Sequence, residues 1–291
     1  MMPLRRFAIH QPENLAEASG LLAQYGEKAR LYAGGTELLL AMKHDLLRYE
    51  RLVDIKTVPG LDQIEVRDGH LCIGASVTHR SIEGSPLVKE KVPALAKMAA
   101  NIANVRVRTT GTLGGNLCFA EPHSDPATLL LCLEARARVQ GKSEEKTLTM
   151  DQLIVGAYDT ALAADELLTA VEIPLSSNNQ RASYLKFQVH ERPLLGLGLV
   201  LDLDEDGRAV SKARTAVGSV SPKPCRSEKV EALMVGSLDE VEKKLADAAP
   251  ALADSADLVD DLEGSAEYKR HLIDVFLRRA FAKAISRPPT G

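Results

Sequence analysis

Residues Thr109–Asp125 read TTGTLGGNLCFAEPHSD. This composition is wrong for an ordinary core element. A polar run, Thr109, Thr110, Gly111 and Thr112, leads into the pair Gly114–Gly115, and Asn116, Pro122 and Asp125–Pro126 follow at once. Paired glycines take backbone dihedrals closed to other residues and let a ligand approach without a Cβ in the way. Consecutive free N–H groups in such a turn form a concave site for anions. A second pair, Gly34–Gly35, lies earlier in the chain, again beside a threonine, Thr36. Two glycine turns of this kind suit the two phosphates of a dinucleotide.

Around Gly34 the pattern is strand, glycine turn, helix. Ala29–Ala33 (ARLYA) reads as a buried strand, and a helix follows through Leu38, Leu39 and Met42. That arrangement points free N–H groups at a phosphate. A tight strand-to-helix turn without a ligand explains the same residues, and the local pattern leaves both readings open.

The 291 residues suffice for two or three domains. A hydrophobic content of 45% supports sizeable cores, and 26% charge is ordinary for a globular chain. A formal net charge of -4 argues against a nucleic-acid binder. No apolar run approaches the roughly 20 residues of a membrane-spanning helix, so no membrane insertion is expected. The opening MMPLRRFAIHQPE lacks the apolar stretch of a signal peptide. Cys72, Cys118, Cys132 and Cys225 are scattered without a C-x-x-C. They read as reduced thiols of a cytoplasmic protein, with no iron–sulfur cluster or zinc site in this chain.

Along the chain, Asn14 is expected to cap a helix carrying Leu15, Ala18, Leu22 and Tyr25 on one face, stopped by Gly26. Asp68–Gly69 between short strands predicts a hairpin. Thr78 is expected to cap a short helix, Pro93–Ile102 to be helical, and Asp125 to cap the apolar helix 127–134 with Pro126 at its first position. The polar run Ser176–Arg181 reads as a boundary. It divides a region 1–176, itself split at about residue 57, from a domain 177–291. The latter is expected to hold an antiparallel meander through Tyr184–Val189, Gly196–Leu203 and Ala209–Val217. Helices Ser227–Met234, Leu238–Ala248 and Ala266–Ile285 follow it, with Asp254–Glu263 as an acidic, solvated connection. Strands and helices without strict alternation indicate an α+β fold.

Other candidates carry weaker signals. Gly196-Leu197-Gly198 lacks the third glycine of a dinucleotide fingerprint and lies within a strand, so thinning of the strand explains it better. His123 has no second His or Cys at ligand spacing. Asp125 has two compatible readings, a helix cap and an acceptor for a ligand hydroxyl or ring N–H. Asn116 reads as a turn residue or a ligand contact. Lys186 sits opposite Leu185 and Phe187 on a strand, as an exposed lysine or as a cation beside a redox ring. Arg106 and Arg108 read as surface charges.

With these residues in hand, the chain resembles the FAD-binding, or medium, subunits of the molybdenum hydroxylases, the family of carbon monoxide dehydrogenase medium subunits and xanthine dehydrogenase flavin domains. The resemblance rests on several segments: F-x-x-x-x-P-E-N-L-x-E-A (Phe7–Ala18), AGGTELL (Ala33–Leu39), TLGGNL (Thr112–Leu117), EPHSDPATLLLCL (Glu121–Leu133), VEIP (Val171–Pro174), YLKF (Tyr184–Phe187) and SAEYKRHLIDVFLRRA (Ser265–Ala280). It implies an FAD-binding region of two α+β subdomains, of the vanillyl-alcohol-oxidase type, and a C-terminal α+β domain. It implies that Ala33, Gly34, Gly35, Thr36 and Glu37, with Thr112, Gly115 and Asn116, hold the pyrophosphate. Further flavin or adenine contacts are implied at Ile102, Gly111, Cys118, Asp125, Leu168 and Lys186. Phe119 stands where relatives often have a polar residue, and no individual role carries over to Phe187–Pro193. No catalytic acid or base is required of this chain. Electrons are expected to come from a molybdopterin-binding large subunit through two 2Fe-2S clusters of a small subunit, and to leave FAD for an external acceptor, in a doubled heterotrimer. A stand-alone FAD-dependent oxidoreductase with its own substrate is the alternative.

Overall fold

The structure is a computed structural model that describes residues 4–142, 144–175, 179–189 and 192–286. The first layer is small. It comprises β1 (Ala8–His10), α1 (Leu15–Tyr25), β2 (Ala29–Tyr32), α2 (Leu38–Lys43) and β3 (Arg51–Asp54). The strands are parallel in the order β1-β3-β2, which leaves β2 at an edge. Asn14 caps α1 by accepting from the Glu17 N–H, and Gly26 ends it at φ 53. Ala18 and Leu22 bury against Val53 and Ile55, as the helical spacing predicts.

The second layer holds β4 (Ile64–Arg67), β5 (His70–Gly74), α3 (His79–Gly84), α4 (Pro86–Lys91), α5 (Pro93–Ala99), α6 (Val105–Thr110), α7 (Leu113–Phe119) and α8 (Asp125–Cys132). It continues with β6 (Arg136–Gln140), β7 (Glu145–Thr149), α9 (Met150–Leu153), β8 (Ile154–Gly156), β9 (Asp159–Thr160) and β10 (Leu167–Pro174). Its main sheet is antiparallel, ordered β4-β5-β10-β6-β7. The hairpin at Asp68–Gly69 has both residues at positive φ, 50 and 75, as a type I′ turn requires.

The glycine stretch is more ordered than expected. It forms two short helices, α6 and α7, hinged at Gly111, not a loose turn. Thr112 caps α7 by accepting from the Gly115 N–H at 3.0 Å. The Leu113 and Gly114 N–H groups donate to Val77 and Ala75 carbonyls, each at 2.9 Å. A Cβ on Gly114 would lie 2.6 Å from that of Ala75, so this glycine serves close packing of α7.

The third layer carries β11 (Gln180–Phe187), β12 (Leu195–Leu203), β13 (Ala209–Gly218), β14 (Cys225–Arg226), α10 (Glu228–Leu233), β15 (Gly236–Ser237), α11 (Leu238–Ser255) and α12 (Ala266–Ile285). The meander is antiparallel, β11-β12-β13-β14, with β15 on β13. β11 begins inside the expected boundary run, of which Ser176–Asn178 lie outside the described residues. One face of the sheet buries α11 and α12 through Leu197, Leu199, Leu201, Leu252, Phe276 and Phe281. The other face receives α8, buried along its whole length. Gly198 and Gly218 make room for it beneath Cys132 and Thr128, which accounts for the thinned strand. Among the described residues no helix is long and apolar enough to cross a membrane.

Candidate functional site

A cleft of about 1260 Å³, solvent at its open side included, runs between the first and second layers. One wall comes from the end of β2 and the turn into α2, the other from Gly111 and α7. The two glycine segments meet here. A Cβ on Gly34 would lie 2.8 Å from Gly111 Cα, and one on Gly111 would lie 3.3 Å from Thr36 Oγ1. Only glycines allow this approach.

Of the residues singled out from sequence, Ala33, Gly34, Gly35, Thr36, Glu37, Gly111, Thr112, Gly115, Asn116, Cys118 and Leu168 all line this cleft. The two turns are not equivalent. Among the described residues, the N–H groups of Gly34, Gly35, Thr36 and Glu37 donate to no protein acceptor. Those of Leu113, Gly114 and Gly115 are all taken up internally. The first turn therefore presents free donors to the cleft, and the second supplies a close wall with the Asn116 side chain beside it. Asn116 accepts a hydrogen bond from Ser124 Oγ at 2.6 Å, which orients its amide. Lys56, which the sequence did not single out, donates to the Ala33 carbonyl at 3.3 Å, and its charge is taken up by Asp54 at 3.1 Å and by the face of Tyr32. Glu37 is matched by Arg192 at 3.1 Å, and the same guanidinium reaches Glu121 at 2.8 Å. Those free amides are the donors here that an anionic group could meet.

Ile102, Asp125 and Lys186 lie elsewhere. Ile102 is core, 7% exposed, and its carbonyl accepts from Arg108 at 3.0 Å. Arg108 also pairs with Glu83 at 3.1 Å and is partly buried, which corrects its reading as a surface charge; Arg106 is exposed. Asp125 does not cap α8 with its side chain. Ser124 occupies the cap position, and Asp125 is the first helical residue. Its carboxylate accepts instead from Tyr184 Oη at 2.8 Å and Lys186 Nζ at 3.0 Å. Lys186 also donates to the Asn101 carbonyl at 2.6 Å. It is a buried ion-pair partner, not an exposed strand lysine. Burial pushes the Asp125 carboxyl above its ordinary range, and Lys186 and Tyr184 pull against that shift without cancelling it.

Cys118 is on the cleft wall. Burial pushes its thiol up to about 11, so it stays protonated at neutral pH and is a poor nucleophile. His79 also lines the cleft and escaped the sequence reading, which saw only the Thr78 cap beside it. Among the described residues its buried Nδ1 has no hydrogen-bond partner, and burial with the Arg108 charge lowers its pKa to about 4. His123 is not on the cleft. Its Nδ1 lies 3.1 Å from Glu121 Oε1, and that hydrogen bond raises its pKa. Among the described residues no group of three or more His, Cys, Asp or Glu is arranged to hold a metal ion.

Comparison with known proteins gives this cleft its context. Residues 5–176 match the family described as the FAD binding domain in molybdopterin dehydrogenase, and residues 184–284 match the CO dehydrogenase flavoprotein C-terminal domain. The chain belongs to the FAD-binding medium subunits of the molybdenum hydroxylases. It is 31% identical to the carbon monoxide dehydrogenase medium chain of Hydrogenophaga pseudoflava, over 97% of this chain and 98% of that one. It is 33% identical to the nicotine 6-hydroxylase medium subunit of Paenarthrobacter nicotinovorans, over 98% and 99%. The structure of reconstituted CO dehydrogenase from Oligotropha carboxidovorans superimposes with a TM-score of 0.93 at 30% identity, covering 99% of this chain and all of the other. The α+β fold, the FAD-binding domain and the place in an oxidoreductase complex follow from this membership. So does the medium-subunit role in a heteromeric assembly of large and small subunits.

Proposed function

We propose that FAD lies in this cleft with its diphosphate at the turn Ala33–Glu37. The observation that carries this reading is the run of unpaired amides from Gly34 to Glu37, facing a wall that only glycine lets so close. Helix-entry amides stabilise phosphate by hydrogen bonding and by the helix dipole. Thr112 and Asn116 shape the facing wall, and Cys118 and Leu168 give it an apolar stretch. The buried pair Asp125–Lys186 lies outside this cleft, toward the third layer, on the side where the resemblance assigns the flavin ring. Held by the amides of Gly34 to Glu37, FAD would supply the redox chemistry between the 2Fe-2S clusters of a small subunit and an external acceptor. The chain's residues bind, orient and shield it. Substrate oxidation belongs to a molybdopterin-binding large subunit, the whole forming a doubled heterotrimer. The four unpaired thiols suit a cytoplasmic, reducing setting.

An absorption spectrum of the purified chain, before and after acid release of the flavin, tests this. FAD in the supernatant, or FAD uptake by colourless protein, is expected. A chain that neither carries nor takes up FAD at micromolar concentration removes the cofactor assignment. Co-purification with a molybdenum-containing subunit and an iron–sulfur subunit tests the partners.

A further inference from the structure

The cleft extends beyond the cradle. From Gly34 the chain runs back through Ala33 into β2 and along it to Arg30, four residues at about 3.3 Å each, or roughly 13 Å if extended throughout. That is the span from a diphosphate to the far edge of a nucleoside base. The cleft lining beyond the glycine turns includes the apolar Leu31, Cys118, Leu162 and Leu168. Two charged side chains stand in this lobe, Arg30 and Glu166. Glu166 is engaged, accepting from Lys146 at 2.7 Å and from the Ala163 N–H at 2.8 Å. Arg30 is exposed, and among the described residues its guanidinium makes no hydrogen bond or ion pair. Arg30, Cys118 and Leu168 line the same cleft, with the Cys118 thiol beside the Leu168 backbone and within electrostatic reach of the guanidinium. β2 is also a sheet edge, which leaves outward backbone groups for a base to meet.

From this juxtaposition we infer that Arg30 is the specificity residue for the adenosine half of the dinucleotide, its guanidinium stacking on the adenine opposite the Leu168–Cys118 wall, so that the cleft selects FAD over FMN. The inference rests on the reading that the cleft binds FAD. A planar, weakly hydrated guanidinium stacks on an aromatic base, whereas an ammonium keeps its water and offers no plane. FMN ends at its phosphate and never reaches this lobe.

The test is titration of the flavin-free full-length chain with FAD and with FMN, followed by quenching of flavin fluorescence, with ADP as competitor. Arg30→Ala is expected to weaken FAD about tenfold, the size of one lost base stack. FMN affinity should hold, and ADP should compete correspondingly less well. Arg30→Lys keeps the charge without the plane and should behave like the alanine variant. Both side chains project from an exposed position, so the melting curve of the flavin-free protein should not move. An unchanged FAD-to-FMN preference in Arg30→Ala overturns the inference, as does full recovery in Arg30→Lys. If the unsubstituted chain binds FAD but ADP does not compete, the lobe is not an adenosine site. If the unsubstituted chain binds neither FAD nor ADP, the cofactor reading fails first and this inference with it.

Discussion

Replacing Asp125 with alanine separates two roles that its position suggests. As a helix cap its loss would cost about 1 kcal/mol. The structure gives it a different task. Its carboxylate, 5% exposed, meets Lys186 Nζ at 3.0 Å and Tyr184 Oη at 2.8 Å, and the Lys186 side chain is itself only 11% exposed. Removing one member of a buried pair leaves an uncompensated charge and costs about 3–5 kcal/mol. A buried phenol without its acceptor adds to this, though the two losses overlap because both reach the same carboxylate. The expected destabilisation of the flavin-free protein is therefore about 4 kcal/mol, several times the cap value. Urea denaturation of the single variant and of Asp125→Ala/Lys186→Met measures it. The double variant should recover a large part of the loss, since a packed apolar pair can replace a buried ionic one. A loss near 1 kcal/mol that the second substitution does not relieve would refute the buried-pair account and restore the cap.

Gly35→Val should abolish FAD uptake: Gly35 sits at φ +70 against Tyr32 and Leu39, where a β-branched side chain is strained, and normal flavin stoichiometry would remove the cradle. Gly115→Val should weaken uptake by crowding Thr112 Oγ1, 2.8 Å from the new Cβ, and an unaltered FAD affinity would show that this wall tolerates bulk. His79, lowered from 6.5 to about 4, stays neutral in the folded chain while the unfolded chain takes up a proton. Folding stability from this group is thus present above pH 6.5 and falls by about 3 kcal/mol as pH drops toward 4; His79→Leu should flatten that part of the urea-derived stability profile, and an unchanged acid slope would mean His79 titrates normally. Lys186→Ala should shift the flavin midpoint potential more than the FAD affinity, and an unmoved potential in spectroelectrochemical titration would place the lysine away from the ring.

Local signals were legible in the sequence. Asn14, Thr78 and the Asp68–Gly69 turn were visible because each acts within three or four residues. The meander was visible because strands turn at short range. Tertiary effects were not. Glycine has low helix propensity, so residues 112–116 read as a turn, yet Thr112 caps them and carbonyls of Val77 and Ala75 hold them in a helix. α11 continues past Pro250 to Ser255 because Ala249, Leu252 and Ala253 are buried against the third-layer core. The partners of Asp125 stand 59 and 61 residues away in sequence, beyond any local pattern. Arg30 and His79 join the cleft only when β2 and α3 pack beside it.

α8 explains why the cleft and the third layer depend on each other. Its first residue carries the carboxylate that Lys186 and Tyr184 hold, and its body seats on β12 and β13 where Gly198 and Gly218 leave space. α7, which walls the cleft, is joined to α8 by a short link in which Ser124 donates to Asn116. A shift of α8 on the third-layer sheet would move Asp125 directly and Asn116 through Ser124. The glycines of β12 and β13, far from the cradle and silent as motifs, therefore set the position of polar groups at the proposed flavin site. Enlarging Gly198, whose added Cβ would stand 2.8 Å from Cys132 Sγ, should disturb the Asp125–Lys186 pair before it disturbs the amides of Gly34 to Glu37.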